Sequence, residues 1–247
     1  MKTIKWLIGL VAVVIGLPLC MNAQAVISGE SSSVHQAPWE FAASGTFVRS
    51  DFQVIPAALA TLNPTIVGDG GTVLTTNSLI NLSGAELTLQ QNYGSWLGIQ
   101  LDASGGVGNR LVTLPSVDAA LGLYSSATAF HFSPKLMAIT FGPVFRMNSS
   151  HNTTLWVRIL GGVGRGDVTP DTTLKAAVRA NTPAFSFTDT ATAVQAGVGI
   201  DHALMGRVHL RLGVDDVHTS LFGANQNNLR ASLGLVWRFS GATDFED

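Results

Sequence analysis

The sequence predicts an all-β fold: an eight-stranded antiparallel up-and-down transmembrane β-barrel with long outer loops and short periplasmic turns. Three observations lead there. Apolar and polar side chains alternate over eight segments, the last of them without exception across 228–239, as strands with one face to lipid and one to a lumen must. The connections between those segments alternate long and short. Charge is also scarce, 12% of the residues with a mean hydropathy of +0.31, against about 25% in soluble domains. Yet no segment beyond the N-terminus reaches the roughly 20 apolar residues of a membrane helix.

The chain opens on an export signal. Lys2 and Lys5 give a positive start, 6–19 is apolar but short for a membrane span, and Asn22-Ala23-Gln24-Ala25 offers a small-x-small cleavage site. Export is expected through the Sec pathway. Leu19 is too bulky before Cys20 for a lipoprotein box. Cleavage of 25 from 247 residues would leave 222, with no cysteine and with Lys135 and Lys175 as the remaining lysines. That excludes a disulfide, a thiol nucleophile and a thiolate metal site. A net charge of −2 and a pI near 6.3 argue against nucleic acid as a partner. The expected organisation is a signal peptide at 1–25, a periplasmic segment at 26–38, the barrel at 39–239 and a periplasmic tail at 240–247.

In chain order, Trp39, Phe41, Ala43 and Phe47 alternate with Glu40, Ser44 and Thr46 in the first strand. Ala85, Leu87 and Leu89 alternate with Glu86, Thr88 and Gln90, and Leu97, Ile99 and Leu101 with Gly98, Gln100 and Asp102. Met137, Ile139, Phe141 and Phe145 alternate with Ala138, Thr140, Gly142 and Arg146, although Pro143 interrupts them and counts against a strand. Leu155, Val157, Ile159 and Val163 oppose Trp156, Arg158, Gly162 and Gly164; Val194, Ala196, Val198 and Ile200 oppose Gln195, Gly197, Gly199 and Asp201. Val208, Leu210, Leu212 and Val214 oppose Arg207, His209, Arg211, Gly213 and Asp215. Last, Leu229, Ala231, Leu233, Leu235, Trp237 and Phe239 oppose Arg230, Ser232, Gly234, Val236 and Arg238.

Long connections are expected at 51–81, 105–135 and 165–189, short ones at 92–95, 148–153 and 202–206, and one of moderate length at 219–227. Outer-membrane barrels carry this asymmetry, with both termini periplasmic. Within the third long loop, 171–180 reads as a short helix capped by Asp171.

Three C-terminal stretches carry a likeness: Gly197-Val198-Gly199-Ile200-Asp201, then Val208-His209-Leu210-Arg211-Leu212-Gly213-Val214-Asp215, then the Asn-rich run from Gln226 to Asn228 feeding a strand that ends Trp237-Arg238-Phe239. Over roughly a fifth of the mature chain they resemble the OmpA/OmpX-like small outer-membrane barrels. The resemblance implies insertion into outer-membrane lipid and delivery by the barrel-assembly machinery, with Trp237 and Phe239 as the assembly signal. That signal is internal here, because 240–247 follows it. The larger relatives' peptidoglycan-binding domain is not expected in eight residues.

With the apolar face on lipid, the other face gathers an interior polar network: Glu40, Glu86, Asp102, Arg146, Arg158, Asp201, His209, Arg211, Asp215 and Arg230. Buried charges need partners, and about eight strands leave a lumen that side chains just fill. A plugged barrel is therefore expected, with Gly162, Gly164, Gly197, Gly199, Gly213 and Gly234 making room for the arginines. His218-Thr219-Ser220 resembles the His-x-Ser pair of outer-membrane lipid A deacylases. However, 221–239 contains no Asp or Glu to orient the histidine, and a polar strand end is the simpler reading. The remaining histidines have no metal-ligand spacing. Gly105-Gly106-Val107-Gly108 and Gly68-Asp69-Gly70-Gly71 lack the strand-to-helix context of a phosphate loop. Trp39, Phe41, Trp96, Trp237 and Phe239 are expected in a periplasmic aromatic girdle, and Phe47, Phe52 and Phe222 in an outer one.

The expected function is that of a non-enzymatic, monomeric outer-membrane barrel without catalytic residues, cofactor or metal. Its role would be envelope support or contact with external ligands through the long loops. The alternatives are a lipid A-modifying hydrolase using His218 and Ser220, and a narrow channel.

Overall fold

Each of the alternating segments forms a strand, and each strand pairs antiparallel with its sequence neighbour. The computed structural model describes residues 39–52, 57–58, 60, 79–114, 128–150 and 152–239; the expected signal peptide at 1–25, the expected periplasmic segment at 26–38 and the expected tail at 240–247 lie outside them. The staves are β1 (Trp39–Asp51), β2 (Leu79–Tyr93), β3 (Leu97–Val107), β5 (Thr128–Ser150), β6 (Thr153–Pro170), β7 (Thr188–Met205), β8 (Val208–Thr219) and β9 (Gln226–Phe239). β1 pairs with β9 from Trp39↔Phe239 to Ser50↔Asn228, and β3 pairs with β5 from Leu97↔Phe145 to Val107↔Lys135. These two seams close the sheet into an eight-stranded barrel. The resemblance read from the last strands thus holds as architecture. A ninth strand, β4 (Arg110–Leu114), pairs with the start of β5 beyond the barrel wall.

Pro143 does not end its strand. It stands opposite Ile99 of β3, and the β5–β6 pairs lapse between Phe141↔Gly161 and Val144↔Arg158 and then resume in the same register. A missing N–H removes a rung without moving the ladder. Strands β5 and β6, at 23 and 18 residues, run further than expected, with pairs as distant as Phe132↔Pro170. Much of the connections expected at 105–135 and 165–189 is therefore strand.

The cause is an inversion of polarity along the staves. Toward the short turns, Leu87, Phe141, Ile159 and Leu212 face outward and Glu86, Thr140, Arg158 and Arg211 are buried inside. Toward the long connections Val48, Ile80, Leu82, Leu136 and Val168 are buried. Arg49, Asn81, Ser83, Lys135 and Arg165 stand exposed on the outside there. The alternation continues with its phase reversed, which is the pattern of a strand leaving lipid for water.

This end of the lumen is an apolar core, closed by α1 (Thr172–Asn181). Asp171 caps α1 as its sequence suggests, its Oδ1 accepting from Leu174 N at 2.8 Å. Leu174 and Val178, one turn apart, are fully buried against Phe52, Phe132, Phe187 and Leu221. Replacing Leu174 by Ala is expected to loosen this cap by about 2–5 kcal/mol. The readout is faster proteolysis within 172–187 while the barrel keeps its shifted mobility in an unheated gel sample.

Two girdle expectations are corrected here. Phe52 is completely buried and Phe222 half-buried, their rings 6.0 Å apart inside the cap. Phe222 sits at φ 57°, and its N–H donates to the Asp189 carboxylate, which turns the ring inward. Phe47 does lie exposed on the outer wall. Phe41 packs on Trp237 at 6.2 Å and Trp96 stacks on Phe145 at 6.3 Å near the short turns, where Phe239 is also exposed.

Candidate functional site

Among the described residues, each inward carboxylate and guanidinium below the cap meets an opposite charge from another stave. The middle of the lumen holds Glu86 from β2, Asp102 from β3, Arg158 from β6, Asp215 from β8 and Arg230 from β9, all buried. Arg158 grips Asp215 with both arms, Nε to Oδ1 at 2.7 Å and Nη2 to Oδ2 at 2.6 Å, and reaches Glu86 Oε1 at 2.7 Å. Its Nη1 lies 3.5 Å from Asp102 Oδ2. Arg230 Nη2 is shared among Glu86, Asp102 and Asp215 at 3.3, 3.4 and 3.2 Å. Gln195 completes the layer, accepting from Thr140 at 3.0 Å and donating to Asp215 at 3.3 Å.

A second layer lies toward the short turns. Glu40 is approached by Arg146 at 3.1 Å, Arg211 at 3.6 Å and Arg238 at 3.0 Å. Arg211 also makes a paired contact with Asp201, at 2.8 Å through both Nε and Nη2. Trp156 joins the layers: its Nε1 donates to Asp201 Oδ1 at 3.1 Å, and its ring centroid lies 4.9 Å from the Arg158 guanidinium and 5.3 Å from that of Arg211. The middle layer has three carboxylates to two guanidiniums and the lower layer two to three, so the formal charges of the whole network cancel. Each group desolvated by burial thereby keeps a counter-charge.

Nine of the ten residues expected in the network are thus brought together. His209 is buried on the same inward face but makes no ion pair or hydrogen bond among the described residues. Arg238, on the inward face expected of it, and Trp156, on the inward parity of its strand, also belong to the network. The glycines play a different part from the one expected. A Cβ on Gly197 would fall 1.7 Å from Asp215 Oδ1, and one on Gly199 would fall 2.1 Å from the Trp156 ring. They admit the carboxylate and the indole, not the arginines. A Cβ on Gly162 would instead fall 2.0 Å from the Ile139 carbonyl oxygen, so the glycine there serves a close approach of backbone to backbone. Between the middle layer and the cap lies a cavity of about 20 Å³ beside Arg230, Asn228, Val217 and Leu136, room for about one water.

Among the described residues His218 and Ser220 bond to other partners and not to each other. His218 Nδ1 bonds Asn227 Oδ1 at 2.8 Å, and Ser220 Oγ donates to Asn225 Oδ1 at 3.2 Å. Among the described residues no three His, Cys, Asp or Glu are grouped to hold a metal. Trp237 and Phe239 point outward at the short-turn end, beside the β1 seam.

No family model matches the chain, and no curated protein matches it. Solved structures do. The chain is similar to neisserial surface protein A (8% identity, TM-score 0.49, covering 82% of this chain and 98% of that one). It is similar to the attachment invasion locus protein Ail of Yersinia pestis (15%, 0.44, 82% and 99%). It is also similar to the outer membrane protein OprG of Pseudomonas aeruginosa (13%, 0.42, 84% and 98%).

Proposed function

We propose that this chain is a non-enzymatic outer-membrane barrel with a closed lumen, whose work is done by the capped, long-connection end facing outward from the cell. The observation that carries the reading is the apolar wall. Phe47, Leu87, Ile159, Val198, Leu212 and Leu233, from six different staves, stay about half exposed, while charged side chains fill the inside. Large apolar side chains exposed on so many neighbouring staves are not stable in contact with water. They fit the lipid-facing band of about 25 Å that such barrels carry. Paired charges below and an apolar core above support a closed lumen, and the partners of His218 and Ser220 support the absence of hydrolysis. The aromatic strand end at Trp237 and Phe239 is suited to the barrel-assembly machinery.

Fractionation and reconstitution test this reading. The protein is expected to pellet with outer membranes, to migrate faster on a gel when unheated, and to give no conductance steps in a planar bilayer. Lipid A from overproducing cells should be unchanged by mass spectrometry. Recovery in the soluble periplasm would overturn the membrane assignment, and steady unitary currents would overturn the closed lumen.

A further inference from the structure

The outer end carries a second feature that the barrel does not use. Burial of Leu174 and Val178 fixes the rotation of α1 about its axis. Lys175 and Arg179, each one residue beyond an anchor and one turn apart, are therefore held together on its exposed flank. They overhang a cavity of about 330 Å³ whose other walls include Asp167, Thr188, Phe185 and Phe187. A basic residue in the last turn favours the helix dipole, which accounts for Arg179 but not for a matched lysine over a cavity.

The nearby carboxylates, Asp167 on the cavity wall among them, accept from hydroxyl and backbone donors and not from the two cations. Asp167 accepts from Thr188 Oγ1 at 2.8 Å and Thr169 Oγ1 at 3.3 Å. Asp171 accepts from Leu174 N and His131 N, and Asp189 from Thr190 N and Phe222 N. Among the described residues neither Lys175 nor Arg179 has an ion-pair partner. Phe185, half-buried on the cavity wall and edge to face with the buried Phe187 at 5.0 Å, supplies an aromatic surface beside the two cations. Cations select an oxyanion through charge-assisted hydrogen bonds, and an aromatic wall suits the C–H face of a sugar ring.

Resting on the outward orientation proposed above, we infer that the cavity under Lys175 and Arg179 binds a sulfate or phosphate ester carried on a sugar. Its size admits about one such monosaccharide unit. The same chemistry is offered by an external anionic polysaccharide and by the phosphorylated sugars of lipopolysaccharide.

The test uses the folded protein in detergent, with four probes: dextran sulfate, uncharged dextran, lipopolysaccharide, and lipopolysaccharide stripped of phosphate. Calorimetry is expected to show binding to dextran sulfate or intact lipopolysaccharide and none to the uncharged or stripped forms; whichever binds identifies the source. The K175Q/R179Q pair should weaken that binding about tenfold or more, and K175R/R179K should retain it. R49Q/R207Q, both exposed and outside the cavity lining, one on β1 and one in the short turn between β7 and β8, should leave it unchanged. No binding to any probe overturns the inference, as does equal loss in both Gln pairs, which would mean diffuse charge attraction. The unheated gel shift, read on every variant, confirms a folded barrel. A barrel that fractionates with outer membranes but does not bind sinks the pocket alone; a periplasmic protein that binds sinks the membrane reading alone.

Discussion

Arg158→Ala is expected to cost the barrel about 3–5 kcal/mol, the range for removing one partner of a buried ion pair. The substitution leaves Glu86, Asp102 and Asp215 sharing Arg230 alone, all three carboxylates essentially inaccessible to water. No neighbour can swing in, because Arg211 and Arg146 are engaged with Asp201 and Glu40. Arg158→Lys should recover only part of the loss, since one ammonium cannot hold both oxygens of Asp215 while reaching Glu86. Arg158→Ala combined with Asp215→Ala should be less damaging than the two losses added together, which a double-mutant cycle measures. Urea midpoints followed by tryptophan fluorescence and by gel shift give the numbers. An unchanged midpoint for Arg158→Ala would mean that the lumen hydrates freely and that the network does not hold the staves.

Gly199→Ala is the second large effect, and the added group is a single methyl. Its carbon would lie 2.1 Å from Trp156 Cζ2 and 2.3 Å from the Leu212 carbonyl oxygen. The carbonyl belongs to the β7–β8 ladder, at Ile200↔Leu212. The indole is held by its bond to Asp201 and by the two guanidiniums against its ring. Neither obstacle can withdraw cheaply, so the cost should reach or exceed the about 1–3 kcal/mol usual for overpacking. Gly161→Ala is the matched control, because a Cβ there meets nothing within 4 Å; it should fold with wild-type yield. If both variants refolded alike, the position of Trp156 as the joint between the charge layers would be wrong.

The staves were legible because lipid and lumen impose opposite polarity on neighbouring residues, and in the middle of the wall nothing blurs that contrast. The same contrast exposed the lumen charges: Glu86 between Ala85 and Leu87, or Arg158 between Val157 and Ile159, has no other place to go. Which charges meet was not legible. Arg158 and Asp215 are 57 residues apart, and they meet because Arg158 pairs with Gly197 and Gly197 with Asp215, a register that places them side by side with no side chain between. The helix of the cap was legible from Asp171, but the apolar core beneath it was not, for a physical reason. Above the lipid band the inner and outer faces exchange polarity, so Ile80 and Leu82 are out of phase with Ala85, Leu87 and Leu89 on one continuous strand. A change of phase resembles the end of a strand when alternation is the only signal. In β5 the same shift separates Phe132 and Leu136 from Met137, Ile139 and Phe141. Reading such shifts as a change of solvent would have placed Phe52 and Phe222 inside.

The reversal of polarity also sets the height at which the barrel can ride in a bilayer. Sinking by a pair of residues would carry Arg49, Lys135 and Arg165 toward hydrocarbon, where an outward-facing cation costs about 2–4 kcal/mol at the midplane and about 0–1 near the interface. Rising would lift Phe47, Met137 and Val163 into water. Because these residues come from staves around the circumference, tilting relieves one side only by worsening another. The barrel is thus gauged to one hydrocarbon thickness, and a thicker or thinner bilayer must deform to meet it. The helix-covered end is held at a fixed elevation above the lipid, with its basic cavity always on the water side.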